Sequence, residues 1–255
     1  MVRRLAVFAF GVVSYAVFLA TFLYALAFVG GFLAPTTLDG VPRKPFAVAL
    51  LIDLGLLALF ALQHSVMARP AFKRAWTRLV AEPLERPIYV LASSLCLIAL
   101  FAFWEPLGGA VWQIDSTVGK AIAYTLFAFG WGLVLLTTFL INHFDLFGLR
   151  QVWLFLLGRP YTRLHFVEPG PYRLVRHPLY VGWLFAFWAT PTMTASHLVF
   201  AIMTTAYILV AIQLEERDLV AEHGASYESY RRRVPMLVPR SARSRRARSE
   251  ETATA

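Results

Sequence analysis

The sequence predicts an all-α fold, a polytopic membrane helical bundle with five spans, or six if a C-terminal helical hairpin counts as two. Three observations carry this prediction. Of 255 residues, 58% are hydrophobic and only 15% are charged, and the mean hydropathy is +0.60, a composition suited to lipid. The apolar residues gather into runs of spanning length. Arginine and lysine concentrate in alternate loops, the pattern of the positive-inside rule.

The runs are Leu5 to Leu33, Phe46 to Leu62, Ile88 to Trp104, Ala121 to Ile141, Leu179 to Ala195 and Leu198 to Leu214. Each is near the roughly 17 to 25 residues that a crossing helix needs. Arg3 and Arg4 precede the first run and Ala25-Leu26-Ala27 loosely resembles a cleavage site. The run is nonetheless far longer than the roughly 7 to 15 residues of a signal-peptide core, so it reads as a retained span. Only Ser196 and His197 separate the last two runs, which predicts a tight hairpin whose ends return to one membrane face. Residues 1–240 form a single membrane domain on this reading. Ser241 to Ala255, rich in Arg, Ser, Glu, Thr and Ala with no apolar periodicity, is expected to be a disordered tail.

Charge sets the expected orientation. Arg69, Lys73, Arg74, Arg78 and Arg86 lie between the second and third runs; Arg150, Arg159, Arg163, Arg173 and Arg176 lie between the fourth and the hairpin; nine more arginines follow it. The opposite loops hold Arg43 and Lys44, with Lys120 at a span edge. Both termini are therefore predicted to be cytoplasmic. The net charge of +9 is then topological, and no nucleic-acid partner is expected. The single cysteine, Cys96, lies in an apolar run, which excludes a disulfide framework or a CxxC site. The partner is the bilayer itself, and no feature specifies an oligomeric state.

With that topology, four polar clusters fall on the cytoplasmic side: Gln63-His64-Ser65, Asn142-His143-Phe144-Asp145, Arg176-His177-Pro178 and Glu215-Glu216-Arg217. Each alone reads as ordinary helix-end polarity, but four at one level make a site. Glu215 and Glu216 are expected at the C-terminal end of a helix, where they oppose the macrodipole and call for a cation. Surface arginines could also neutralise them, at a gain of only about 0 to 1 kcal/mol. Tyr180 and Gly182 follow Pro178 at a helix start, where a small residue permits close approach of a ligand and free N–H groups suit a carboxylate. His143 and Asp145, two apart, do not face each other on a regular helix, so joint action requires the chain to leave helical geometry near Asn142. Asp53, inside the second run, is a functional candidate by position. Its place on the outer side of the four clusters favours a structural hydrogen bond.

The segment GPYRLVRHPLYVG from Gly170 to Gly182, then an apolar hairpin, Glu215-Glu216-Arg217, Gly224, Tyr227, Tyr230 and Val234-Pro235, resembles the signature of integral-membrane methyltransferases related to isoprenylcysteine carboxyl methyltransferase. Phe139 to Trp153, Ala61 to Trp76 and Phe187 to Thr194 are similar to the bacterial methanethiol S-methyltransferases over nearly the whole chain. The QHSVMARP segment also resembles membrane proteins associated with nitric-oxide metabolism. The resemblance implies S-adenosyl-L-methionine as cofactor, enclosed by the RHP segment and the Glu pair. On that implication Gly170, Tyr172, Arg176, His177, Tyr180, Gly182, Glu215, Glu216 and Tyr230 bind it, with a carboxylate of Glu215 or Glu216 on its ammonium and His177 with backbone amides on its carboxylate.

The implied chemistry is methylation of a small volatile thiol, methanethiol, to dimethyl sulfide. An alkyl thiol near neutral pH is mostly protonated, so a base helps. His143 oriented by Asp145 is the first candidate and His64 the second. The same three residues are also of the type that ligates a metal with open positions, which would acidify a bound thiol directly. The alternatives are a same-fold methyltransferase acting on another thiol, an isoprenoid carboxylate or a lipid amine, and a non-enzymatic membrane protein that retains the fold.

Overall fold

A computed structural model describes residues 1–162 and 164–239; the expected tail at 241–255 lies outside the described residues. Five helices are long and apolar enough to cross a membrane: α1 (Val2–Gly30), α2 (Phe46–Ala68), α4 (Glu82–Phe103), α5 (Thr117–Ile141) and α9 (Ala195–His223). Shorter helices lie between and after them: α3 (Pro70–Trp76), α6 (His143–Leu146), α7 (Leu149–Leu156), α8 (Pro178–Trp188) and α10 (Ala225–Arg233). Strands β1 (Ala110–Gln113) and β2 (Thr192–Thr194) pair antiparallel. The fold is the expected polytopic helical bundle.

Local sequence explains the boundaries. Gly31 takes a left-handed conformation (φ 71°) and ends α1, a geometry that costs glycine little. α2 runs past the predicted Leu62 and carries Gln63, His64 and Ser65 in its last two turns. It stops at Arg69, which is extended (φ −70°, ψ 139°) because Pro70 disfavours helix in the residue before it. Ser116 caps α5 by accepting the Gly119 amide at 3.1 Å, and Asn142 closes α5 at φ 93°.

The C-terminal hairpin differs from the prediction. α8 has 11 residues, about 16 Å at 1.5 Å per residue, against about 30 Å of hydrocarbon. It reaches only part-way. The turn lies at 189–194, not at Ser196 and His197, which occupy the first turn of α9. Side-chain bonds hold them there: Thr194 accepts the His197 amide at 3.1 Å, Ser196 accepts the Leu107 amide at 2.6 Å, and His197 Nε2–H donates to Phe187 O at 2.9 Å. α9 in turn continues to His223, so Glu215 and Glu216 lie two turns before its end. The expected opposition to the macrodipole is corrected accordingly, since the effect is confined to the last turn.

α1 packs on α4 and α7, α2 on α4, and α5 on α8. The buried centre contains Phe28, Leu38, Leu100, Trp104, Trp131 and Ala186. Val13, Leu23, Leu51, Leu62, Phe139 and Val210 are exposed, an outer surface fit for acyl chains. Asp53 is fully buried and its Oδ1 accepts the Glu105 amide at 2.9 Å, fixing the chain where it leaves α4. That is the structural role expected of it.

Candidate active site

The two glutamates diverge because successive helical residues point about 100° apart. Glu216 turns inward and is 7% exposed. Its Oε1 accepts Arg176 Nε at 2.7 Å and His177 Nε2–H at 3.0 Å. Arg176 also donates to Val234 O at 2.7 Å and Arg231 O at 3.0 Å. Glu215 has a side chain 44% exposed and one short contact, the Tyr180 hydroxyl donating to Oε2 at 2.9 Å. One carboxylate is thus consumed by the fold and the other is open to a ligand.

Several residues of the implied cofactor segment also serve the fold. Arg176 and His177 bond to Glu216, and the nearest His177 approach to Glu215 is 3.9 Å. Gly182 lies close to α5: a Cβ there would be 2.9 Å from Gly130 O and from the Val134 amide nitrogen. The Tyr230 hydroxyl donates to Tyr172 O at 2.7 Å, latching α10 to the 3-10 turn Gly170–Arg173. Gly170 has φ 47°, which lets the chain turn between Pro169 and Pro171. The Arg176 and His177 amides donate to Pro235 O and Met236 O at 2.8 and 3.2 Å. At the start of α8, Val181 is the first amide to bond back, to His177 O. The Leu179 and Tyr180 amides precede it, and a helix supplies such groups no internal acceptor.

The phenols around the acidic pair are electrostatically marked. Burial, and then the Glu215 charge, push the Tyr172 hydroxyl well above the ordinary tyrosine range. Burial and the Glu216 charge do the same at Tyr227, which is 1% exposed and whose hydroxyl has no hydrogen-bond partner among the described residues. These remain neutral donors beside a carboxylate.

A second group of polar side chains, drawn from α2, α4 and α9, gathers about His64. Ser65 donates to the Tyr207 hydroxyl at 3.4 Å, and Tyr207 meets the His64 ring edge-on at 6.4 Å. Tyr89 OH stands 2.9 Å from His64 Nε2 and 3.0 Å from Nδ1. Ser93 Oγ, which gives its own proton to Tyr89 O at 2.9 Å, lies 3.3 Å from His64 Nδ1. Arg86 lies over the Tyr89 ring at 5.3 Å, and Arg69 joins α2 to Asp218 of α9 at 2.9 Å.

His143 occupies a separate nest. Thr138 donates to Leu135 O at 2.7 Å, so at 2.8 Å it accepts from His143 Nδ1–H, leaving Nε2 to accept the Tyr15 O–H at 2.8 Å. The ring stacks on Phe139 at 4.3 Å and meets Phe147 at 4.8 Å. Burial lowers the His143 pKa below the ordinary histidine value. The chain does leave helical geometry at Asn142, but this does not bring Asp145 to His143. Asp145 accepts Arg150 at 2.9 Å and Tyr161 O–H at 3.2 Å, stapling α6 to the loop after α7. The expected orienting contact is replaced by Thr138 and Tyr15. No group of three His, Cys, Asp or Glu side chains among the described residues is placed to hold a metal ion.

Sequence reasoning missed Tyr15, Thr138, Tyr89, Ser93 and Tyr207. Their signal is faint: a hydroxyl inside an apolar run, and for Tyr89 and Ser93 the i, i+4 spacing that shares a helix face.

Comparison with known proteins follows this geometry closely. A family model described as phospholipid methyltransferase matches residues 118–225, from the start of α5 to the start of α10, which includes the acidic pair. A methanethiol S-methyltransferase of Crocosphaera subtropica is 58% identical over 236 residues, 92% of each chain. Methanethiol S-methyltransferase 2 of Bradyrhizobium diazoefficiens is 50% identical over 240 residues, covering 94% of this chain and 92% of that one. The methanethiol S-methyltransferase of Mycobacterium tuberculosis is 49% identical over 237 residues, covering 93% and 97%. No solved structure matches. The likeness runs along almost the full length of these enzymes, and the chain belongs to the methanethiol S-methyltransferase family.

Proposed function

We propose that the protein is an S-adenosyl-L-methionine-dependent S-methyltransferase that converts methanethiol to dimethyl sulfide at the cytoplasmic side of a bacterial inner membrane. The observation that carries this reading is the division of labour in the acidic pair. Glu216 is paired with the Arg176 guanidinium and accepts a His177 hydrogen bond, whereas Glu215 keeps an exposed carboxylate.

The residues present fit the cofactor. Glu215 suits its ammonium, the Leu179 and Tyr180 amides suit its carboxylate, and Tyr172 offers a neutral phenol beside them. Bound there, S-adenosyl-L-methionine supplies an electrophilic methyl group. The chain's contribution is to align that group with a thiol, exclude water from the site and accept a proton. Of the two candidate bases we place His64 first, because hydroxyl side chains from α4 and α9, Tyr89 and Tyr207, stand against its ring. His143 comes second, its neighbours being drawn from α1, α5 and α6. A volatile apolar thiol can enter from the bilayer, the reason to perform this reaction in a membrane protein.

The test is purified protein with isotopically labelled methyl donor and a panel of volatile thiols and lipids, with headspace thioether and extracted lipid both measured. Labelled dimethyl sulfide supports the reading. Label found only in lipid would replace it with methyl transfer to a lipid, and the matching family description names phospholipid.

A further inference from the structure

We propose that Arg69 is a positioning residue: its ion pair with Asp218 sets the spacing between the end of α2, which carries His64, and the turn of α9 that carries Glu215. The proposal rests on the reading above, in which Glu215 takes the donor's ammonium and His64 serves the acceptor. Pro70 keeps Arg69 out of helical geometry, so α2 stops there and α3 begins. The guanidinium is anchored at two points. Nε–H donates to Ser65 O at 3.2 Å, one of the last carbonyls of α2, which a helix end leaves without an internal partner. Nη1–H donates to Asp218 Oδ2 at 2.9 Å.

α2 meets α9 through polar side chains at two levels. The deeper one is Tyr207, whose hydroxyl accepts from Ser65 at 3.4 Å and whose ring stands edge-on to Phe60 at 6.2 Å and to His64 at 6.4 Å. Tyr207 and Asp218 lie three turns apart on one face of α9. Glu215 stands one turn before Asp218, at the i, i+3 spacing that makes helical residues neighbours. It is therefore bracketed by the two contacts, and the Arg69 pair is the closer along the chain. The main packing partner of α2 is α4, and that of α9 is α8. Side chains at this seam are left to fix how far apart α2 and α9 stand.

Exposure favours placement over folding as the role of the pair. The Arg69 and Asp218 side chains are 30% and 36% exposed, and an ion pair so open to water adds little to stability. Methyl transfer depends on in-line alignment of donor and acceptor, where a displacement of about 1 Å costs about a hundredfold in rate. A contact too weak to hold the bundle together is still strong enough to set the rate of the reaction.

The experiment compares wild type, Asp218→Asn, Arg69→Lys and the charge-swapped double variant Arg69→Asp with Asp218→Arg, full-length in lipid nanodiscs. Single-turnover methylation of methanethiol, S-adenosyl-L-methionine affinity and the unfolding midpoint are measured for each. Asp218→Asn should slow methyl transfer about tenfold, with donor affinity within about twofold and the midpoint within about 2 °C. Arg69→Lys, which keeps the charge, and the charge swap should both stay within about threefold of wild type. Spacing is read without donor or acceptor from nitroxides at Val66 and Gln213, both exposed, in Cys96→Ser protein: their dipolar broadening should change in Asp218→Asn and return in the charge swap. Wild-type turnover in Asp218→Asn, no recovery in the charge swap, or a rate loss with unchanged broadening would each overturn the proposal. Failure of Asp218→Asn to fold would overturn it too, because the pair would then hold the bundle together. Wild-type protein that methylates no thiol refutes the thiol reading instead, and the broadening measured without ligand still reports on Arg69.

Discussion

Neutralising the two glutamates one at a time separates fold from binding. In Glu216→Gln the lost charge leaves Arg176, whose side chain is 12% exposed, beside a neutral amide. Removing one partner of a buried pair costs about 3 to 5 kcal/mol. Glutamine retains an oxygen that can accept one of the two bonds from Arg176 and His177, so the lower end, about 3 kcal/mol, is expected. Glu215→Gln removes only the charge behind a Tyr180 bond from a side chain 44% exposed, and its stability should change by under about 0.5 kcal/mol. Its effect falls on the ligand: a hydrogen bond to a charged group is worth about 1.5 to 3 kcal/mol, and exposure places this one near the lower value. That is about a tenfold rise in the Kd of S-adenosyl-L-methionine. Calorimetric titration of each variant in detergent, paired with its thermal unfolding midpoint, reads both quantities. Weakened binding with an unchanged midpoint in Glu216→Gln, together with normal binding in Glu215→Gln, would refute the assignment.

Three further outcomes follow from other contacts. Gly130→Ala puts a Cβ 2.5 Å from the Ala186 amide nitrogen and 2.7 Å from Gly182 O; backbone cannot yield as a side chain does, so a loss of about 3 kcal/mol or more is expected, with weaker donor binding because α8 carries Tyr180. Unfolding and titration measure both, and wild-type values in the variant would sink the close-packing account. Asp145→Asn breaks the staple to Arg150 and Tyr161 but leaves His143 bonded to Thr138 and Tyr15, so methyl transfer should change by less than about threefold while stability drops about 1 kcal/mol; a large kcat loss at constant stability would restore Asp145 to the chemistry. Because burial lowers the His143 pKa, the unfolded chain takes up a proton there as pH falls through about 6.5 while the folded chain does not. The fold loses stability from that point downward, and His143→Gln should flatten this acid-side decline in the unfolding midpoint below about pH 6.5. An identical decline in both proteins would remove His143 as its source.

What the sequence disclosed depended on whether the physics was local. Apolar length reports a span directly, so the five crossing helices were legible. The turn after α8 was not, because Thr194 caps α9 at the His197 amide while Ser196 and His197 bond to Leu107 and Phe187, partners far apart in sequence or settled only by folding. Glu215 and Glu216 announced a cationic partner, yet which of them was free depended on Arg176, forty residues away, and on a helix that ran two turns further than its apolar content suggested. The same reason explains Asp145 and His143. Proximity in sequence made them a pair, but Asn142 at φ 93° starts a new helix that sends Asp145 towards Arg150, and the imidazole finds Thr138 and Tyr15 instead. His143 and His64 each gather two hydroxyls: Thr138 and Tyr15 bond the two ring nitrogens of His143, while Ser93 stands at His64 Nδ1 and the Tyr89 oxygen lies close to both His64 nitrogens. In a lipid-embedded bundle an imidazole without two partners would be costly, so that arrangement alone is explained by stability and carries no function. Position separates them. His143 draws its neighbours from α1, α5 and α6, whereas His64 draws its own from α2, α4 and α9.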